Sequence, residues 1–177
     1  MRKMYLSAPL PFVGQKRMFA KEFMKVLEQY PDGTLFVDLF GGSGLLSHIT
    51  KSLKPHSTVI YNDFDNYRFR MKHIPQTNQL LADIREMVGN SVPRHKIIKG
   101  ELRERIFSRI EQEENSTGYV DFITLSSSIL FSMKYKLSVQ DMRKEALYNN
   151  IRKTGYPECT DYLEGLEIVS CDYKEVF

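Results

Sequence analysis

Little in this chain is of the kind that builds covalent or metal-centred scaffolds. Among its 177 residues there are two cysteines, Cys159 and Cys171, and four scattered histidines. Two thiols are too few for a disulfide framework, and they lack the short spacing of a metal knuckle, so no metal centre is expected. Long hydrophobic runs are missing as well. No apolar stretch approaches the roughly 18 residues that a membrane helix needs. The basic start MRKMYLSAPLPFVGQKR has no apolar segment ahead of a cleavage site, so neither a membrane partner nor a secretory signal is expected and the chain reads as cytoplasmic. Charge of one sign is not in excess either. Lys and Arg number 25 against 22 Asp and Glu, a net charge of +3, which permits a nucleic-acid partner without requiring one. With 42% hydrophobic and 27% charged residues, the composition is that of a globular chain. Its length suits one domain of ordinary size, or a domain carrying one large insertion.

Hydrophobic periodicity divides the chain into three parts. In QKRMFAKEFMKVLEQY, Phe19, Phe23, Val26, Leu27 and Tyr30 recur at helical spacing, with Pro31, Asp32 and Gly33 as the stop; the Phe and Met residues of this helix are expected in the core. Leu35 to Phe40 is a short apolar run suited to a buried parallel strand, Leu45 to Leu53 a helix ended near Pro55, and Thr58 to Tyr61 a second strand. From about Asn66 to Gly165 the pattern is mostly helical. Leu80, Leu81, Ile84, Met87 and Val88 share a face ahead of a capping Gly89, and Ile98, Leu102, Ile106 and Ile110 recur every four residues. Ser138 and Asp141 stand in capping-box spacing. A strand-like run returns only at LEIVSCDYKEVF.

The stretch FVDLFGGSGLLS reads as strand, glycine loop and helix. Gly42 and Gly44 let the backbone turn sharply and approach a ligand where a side chain would collide. A pyrophosphate-binding loop wants a third small residue and no acid nearby, whereas Asp38 stands just ahead of this one. A carboxylate there repels pyrophosphate and suits S-adenosylmethionine, whose ammonium and sulfonium are cationic. Asp63 follows Gly44 by nineteen residues and closes the second strand, the position from which a carboxylate accepts hydrogen bonds from ribose hydroxyls. The plainer alternative makes Asp38 and Asp63 simple strand-end turn residues.

Taken in order, PFVGQKR, DLFGGSG, YNDFD, a long helical insertion and SCDYKEVF resemble the Dam-like adenine-specific DNA methyltransferases over nearly the whole chain. The resemblance implies an α/β fold, a partial Rossmann-like S-adenosylmethionine-dependent methyltransferase fold with a mostly helical insertion. It divides the chain into residues 1–65 as the first part of the cofactor-binding core, 66–165 as the target-recognition insertion and 166–177 as a returning core strand. It places Phe12, Gly14, Lys16, Phe40, Gly42, Gly44, Asp63, Phe64, Asp172 and Tyr173 around the cofactor, beside Asp38. It implies double-stranded DNA as partner and methyl transfer to the exocyclic amine of adenine. Within the insertion, Lys134, Tyr135, Lys136, Arg152 and Lys153 lie in the basic run from Lys134 to Lys153, which either tracks phosphates or is a solvated helix face. The mixed-charge GELRERIFSRIEQEEN is expected as a solvent-exposed face. Cys171 is expected as a strand residue, with no nucleophilic role.

One departure outweighs these matches. The family holds its target amine with an acceptor-Pro-Pro-aromatic segment. None occurs between Met1 and Phe177, so no catalytic residue is assigned and this chain alone is expected to be inactive. Its first strand would then lie at a sheet edge, to be completed by a second polypeptide or by self-association. The competing reading is a non-catalytic cofactor- or DNA-binding remnant or subunit; the long insertion ahead of CDY argues against an RNA or small-molecule methyltransferase.

Overall fold

The computed structural model describes residues 3–14, 16–131 and 134–176. Two compact units divide the chain. One comprises residues up to Lys72 together with those from Glu158 onward, and the other runs from His73 to Pro157. Sequence alone drew these borders at 65/66 and 165/166.

The first unit is an α/β layer. After a 3-10 turn at Lys16–Phe19 come helix α1 (Ala20–Glu28), strand β1 (Phe36–Asp38), helix α2 (Leu45–Leu53), strand β2 (Val59–Asn62) and helix α3 (Tyr67–Lys72); strand β5 (Glu167–Val169) returns from beyond the second unit. The strands lie in the order β1, β2, β5, all parallel, with Phe36 opposite Val59 and Tyr61 opposite Ile168. Burial follows this order. The central strand β2 is almost wholly buried, whereas β1 is only half-buried. The expected buried strand is therefore β2; β1 pairs on one side only among the described residues, and its flanks Leu35 and Phe40 are exposed. A parallel strand is covered on both faces only when neighbours and helices flank it.

Helix α1 docks through Ala20 and Leu27, with Phe23 and Met24 packed beside them, onto Leu45 and Ile49 of α2 and onto Phe36. That is the i, i+3, i+4, i+7 stripe of a surface helix, and each fully buried Leu or Ile contributes about 1.5–3 kcal/mol. Val26 and Tyr30 fall off the stripe and are exposed, and so are Met18 and Phe19, contrary to the expectation that the Phe and Met residues of this segment are core. The tail segment is held here too. Tyr67 donates to and accepts from the backbone of Leu10, Arg70 donates to the Pro11 carbonyl, and Tyr162 stacks on the buried His48. These contacts explain why residues 66–72 and 158–165 belong with the first unit.

The second unit contains helices α4 (Ile74–Val88), α5 (Gly100–Thr117), α6 (Phe122–Ile129) and α7 (Val139–Arg143), and a short antiparallel pair, β3 (Ile97–Ile98) with β4 (Leu147–Tyr148). Helices α4 and α5 pack together through Leu80, Leu81, Ile84 and Val88 against Ile106, Phe107 and Ile110. Gly89 ends α4 with φ +46°. The expected helical run beginning at Ile98 starts instead at Gly100, because Ile98 pairs with Leu147 as a strand. Ser138 caps α7, accepting from the Asp141 amide and donating to its carboxylate. Removing that cap with Ser138→Ala should cost about 1 kcal/mol, read as a small fall in the midpoint of urea unfolding. Among the described residues no helix is long and apolar enough to cross a membrane, and no group of three or more His, Cys, Asp or Glu is arranged to hold a metal ion.

Candidate functional site

At the carboxyl ends of all three parallel strands lies a cleft of about 360 Å³. The loop after β1 contributes Leu39, Phe40, Gly41, Gly42 and Ser43; the end of β2 contributes Asn62, Phe64 and Asp65; the segment after β5 contributes Asp172 and Tyr173; and the strap ahead of α1 contributes Phe12, Val13, Gly14 and Lys16. In open α/β sheets ligands bind in this place, outside the carboxyl ends of the strands.

The loop owes its shape to close packing. Gly42 and Gly44 adopt φ of +52° and +69°, and a Cβ on Gly42 would stand 3.0 Å from the Phe12 ring. The Gly44 amide donates to the Gly41 carbonyl at 2.8 Å, closing the turn into α2. Beneath it, the Tyr61 hydroxyl lies 2.7 Å from the Gly42 carbonyl and 2.9 Å from an Asp63 carboxylate oxygen. Burial, reinforced by Asp63, pushes this phenol well above its ordinary pKa, so it stays a neutral hydrogen-bonding strut. Asn62 ties the strand ends together. Its amide nitrogen donates to the carbonyls of Leu39 and Cys171, and its oxygen accepts from the Cys171 amide. No local spacing marks this clamp, because its partners are far away along the chain.

Phe12, Gly14, Lys16, Phe40, Gly42, Phe64, Asp172 and Tyr173 all line the cleft. Asp38, Gly44 and Asp63 do not. The Asp38 carboxylate accepts from Ser47 at 2.7 Å and stands 3.7 Å from the Lys16 ammonium, which donates to the Phe40 carbonyl. Asp63 is only 3% exposed, and its carboxylate accepts from the Tyr67 and Arg68 amides at 2.6 and 2.9 Å. Burial raises its pKa against the lowering by these donors. Asp63 thus holds the start of α3, and the acid on the cleft wall is Asp65, two residues on. Asp65 is exposed and has no protein partner among the described residues. Asp172 accepts from the Lys174 amide, and Tyr173 lies with its ring 5.2 Å from that of Phe40. Phe40 and Phe64, 65% and 66% exposed, give the mouth two open aromatic faces with acids on either side. The expected strand residue Cys171 lies two positions past β5, half-buried and reduced.

The basic residues of the second unit divide. Lys134 and Lys136 both reach Glu145, at 2.5 and 3.0 Å, and together they hold the Glu145 carboxyl below its ordinary range. Tyr135 is half-buried. The Arg152 guanidinium lies 4.4 Å from the Tyr156 ring centre, and Lys153 is exposed. Arg103 and Arg143, from the mixed-charge helix α5 and from α7, both lie against the buried Phe107 ring and pair with Glu104, so that face is charged, paired and partly sheltered.

Fold and site together define an α/β protein with a glycine-loop cleft at the carboxyl edge of a parallel sheet. The chain is similar to a protein of Haemophilus influenzae named "Putative methyltransferase", with 41% identity over 179 residues, a match that spans 99% of this chain and 60% of that protein. No family profile matches the chain, and no solved structure does.

Proposed function

We propose that the chain is the cofactor- and target-binding part of an S-adenosylmethionine-dependent methyltransferase acting on adenine in DNA. The observation that carries the reading is the cleft at the ends of β1, β2 and β5, whose wall combines a close-packed glycine loop, two acids and open aromatic rings. Its volume lies within the range of small-molecule sites. The residues fit the cofactor's chemistry: Gly42 admits a ligand against the backbone, Asp65 and Asp172 suit hydroxyls and cationic groups, and Phe40, Phe64 and Tyr173 suit a flat purine. S-adenosylmethionine supplies an electrophilic methyl group on a sulfonium. The similarity to the Haemophilus protein supports methyl transfer; adenine and DNA rest on the ordered motifs that resemble the Dam-like enzymes.

A second reading is favoured by one specific observation. The outer side of β1 carries no strand among the described residues, and β1 also borders a hollow of about 150 Å³ in which Phe23, Phe36, Val37, Leu46 and Val59 are joined by Asp38, Ser47 and Thr50. With no acceptor-Pro-Pro-aromatic segment in the sequence, the chain would then bind cofactor and DNA and be completed by a further strand from another polypeptide or a second copy.

Calorimetry with S-adenosylmethionine tests the site. Asp65→Asn should weaken binding about tenfold or more, the order of a lost charged hydrogen-bond partner, and leave the melting temperature unchanged. Asp63→Asn should do the reverse, lowering the melting temperature through the start of α3. Equal cofactor affinity in wild type and Asp65→Asn would remove Asp65 from the site, and no binding by wild type would overturn the reading.

A further inference from the structure

A second hollow, of about 510 Å³, lies within the second unit, where the C-terminal turn of α4 and the loop after it face the segment after β4. Its wall includes Arg85, Arg94 and Lys153, with the amides Asn90 and Asn149, and no acid. The antiparallel pairing of β3 with β4 creates this concentration. It sets Arg94, His95, Lys96 and Lys99, a run with no acid between Glu86 and Glu101, beside Arg152 and Lys153, a run with no acid from Ala146 to Pro157. Asp83 and Glu86, the acids flanking Arg85 in sequence, line a separate hollow with Arg109.

Most other cations of the unit are already paired. Arg103, Arg109, Lys134, Lys136, Arg143 and Lys144 each contact a carboxylate. Among the described residues, none of Arg85, Arg94, Lys96, Lys99, Arg152 and Lys153 does. Arg85 and Arg94 are nonetheless fixed. The Arg85 Nε–H donates to the Arg152 carbonyl at 2.8 Å, and an Arg94 Nη1–H donates to the Ile151 carbonyl. Each guanidinium uses one donor to hold its place and keeps the rest of its fork for a ligand. Two anchored guanidiniums, a free ammonium and no competing carboxylate in one trough are the arrangement that tracks a chain of phosphates.

The geometry points to this trough, Arg85–Arg94–Lys153, as the phosphodiester-binding track for duplex DNA. This displaces the expected pair Lys134 and Lys136, which share the Glu145 carboxylate, and retains Lys153; Arg152 enters through its carbonyl, which anchors Arg85. The inference rests on the reading of the substrate as DNA and names the part of the chain that holds its backbone. Phosphate contacts position a duplex without reading its sequence, so the trough sets register and affinity and leaves base choice to other residues.

The test is fluorescence anisotropy of a labelled duplex over a salt series, alongside calorimetry with S-adenosylmethionine on the same proteins. The variant Arg85→Gln/Arg94→Gln/Lys153→Gln should lower the slope of log affinity against log salt by about 0.9 per lost contact, about 2.7 in all. Cofactor affinity should not change. Lys134→Gln/Lys136→Gln should leave the slope as in wild type. Because the two arginines also tie the loops, Lys153→Glu serves as a second variant; its side chain makes no protein bond, and its charge reversal should weaken duplex binding about tenfold at unchanged melting temperature. An unaltered slope in the triple variant, loss of binding through Lys134 and Lys136, or preference for single-stranded RNA over the duplex would overturn the track. Duplex binding through the trough without any cofactor binding would uphold it and overturn the methyltransferase reading instead.

Discussion

Replacing Gly41 by alanine should destabilise the protein more than replacing either of its left-handed neighbours, by about 3 kcal/mol or more. The reason is packing. Gly41 is absent from the residues with positive φ, whereas Gly42 and Gly44 have φ of +52° and +69°. A Cβ on Gly41 would stand 2.2 Å from a ring carbon of Tyr61 and 2.8 Å from the Asn62 carbonyl oxygen. Neither can yield. Tyr61 is fully buried on the central strand with its hydroxyl held between Gly42 and Asp63, and Asn62 clamps the ends of β1 and β5. A backbone oxygen and a pinned ring leave the loop itself as the thing that must move, and the loop is the floor of the cleft. For a chain of this length the loss corresponds to a fall in melting temperature of about 6–12 °C. Gly42→Ala, whose Cβ would meet only the Phe12 ring edge at 3.0 Å, should cost about 1 kcal/mol through its left-handed backbone. Thermal unfolding of the two variants side by side decides the matter; an equal or smaller loss at Gly41 would mean that Tyr61 can turn aside.

That ranking marks the boundary of what the sequence reveals. Features closed within a few residues were legible. Helix α2 has the expected bounds Leu45 and Leu53, Gly89 ends α4, and Ser138 caps α7 through Asp141, because each is set by local spacing and local hydrogen bonds. The glycine loop was legible as a loop, and its positive-φ glycines were the ones singled out. What it packs against was not, since the demand on Gly41 comes from β2, twenty residues on. The same holds for the acids after β2. Asp63 and Asp65 stand two residues apart just past the end of β2, and only the start of α3 decides which carboxylate is consumed by backbone amides and which faces the cleft. Strands β3 and β4, two residues each inside helix-like stretches, carry no periodic signal of their own. Their pairing nevertheless determines which lysines and arginines share a trough, just as Glu145 determines which lysines are already paired.

Incubated with S-adenosylmethionine carrying a labelled methyl group and with adenine-rich duplex, this 177-residue chain should transfer label only at background, at least about 10³-fold below a chain that also supplies an acceptor-Pro-Pro-aromatic segment. An aromatic amine is a poor nucleophile because its lone pair is delocalised into the ring, so transfer needs an acceptor to polarise that amine and a surface to hold the extruded base near the methyl group. No acceptor-Pro-Pro-aromatic segment occurs between Met1 and Phe177. Asp172 lines the cleft, but it caps the following turn through the Lys174 amide and is followed by Tyr173 and Lys174 instead of a Pro-Pro step. Asp38 is drawn toward Ser47 and Lys16 and lies off the cleft wall. The side of β1 that carries no strand among the described residues leads into the glycine loop, so a parallel strand added there would bring its own carboxyl-end residues to the same cleft. The Haemophilus relative is longer than the stretch matched by this chain. Supplying the remainder of that relative as a separate polypeptide should therefore restore transfer if it adds a strand to β1, and Val37→Pro, which removes a backbone donor and stiffens β1, should abolish the rescue while leaving cofactor binding measurable. Robust transfer by the 177 residues alone would move the catalytic centre into them, with Asp172 and Asp38 the first to be replaced.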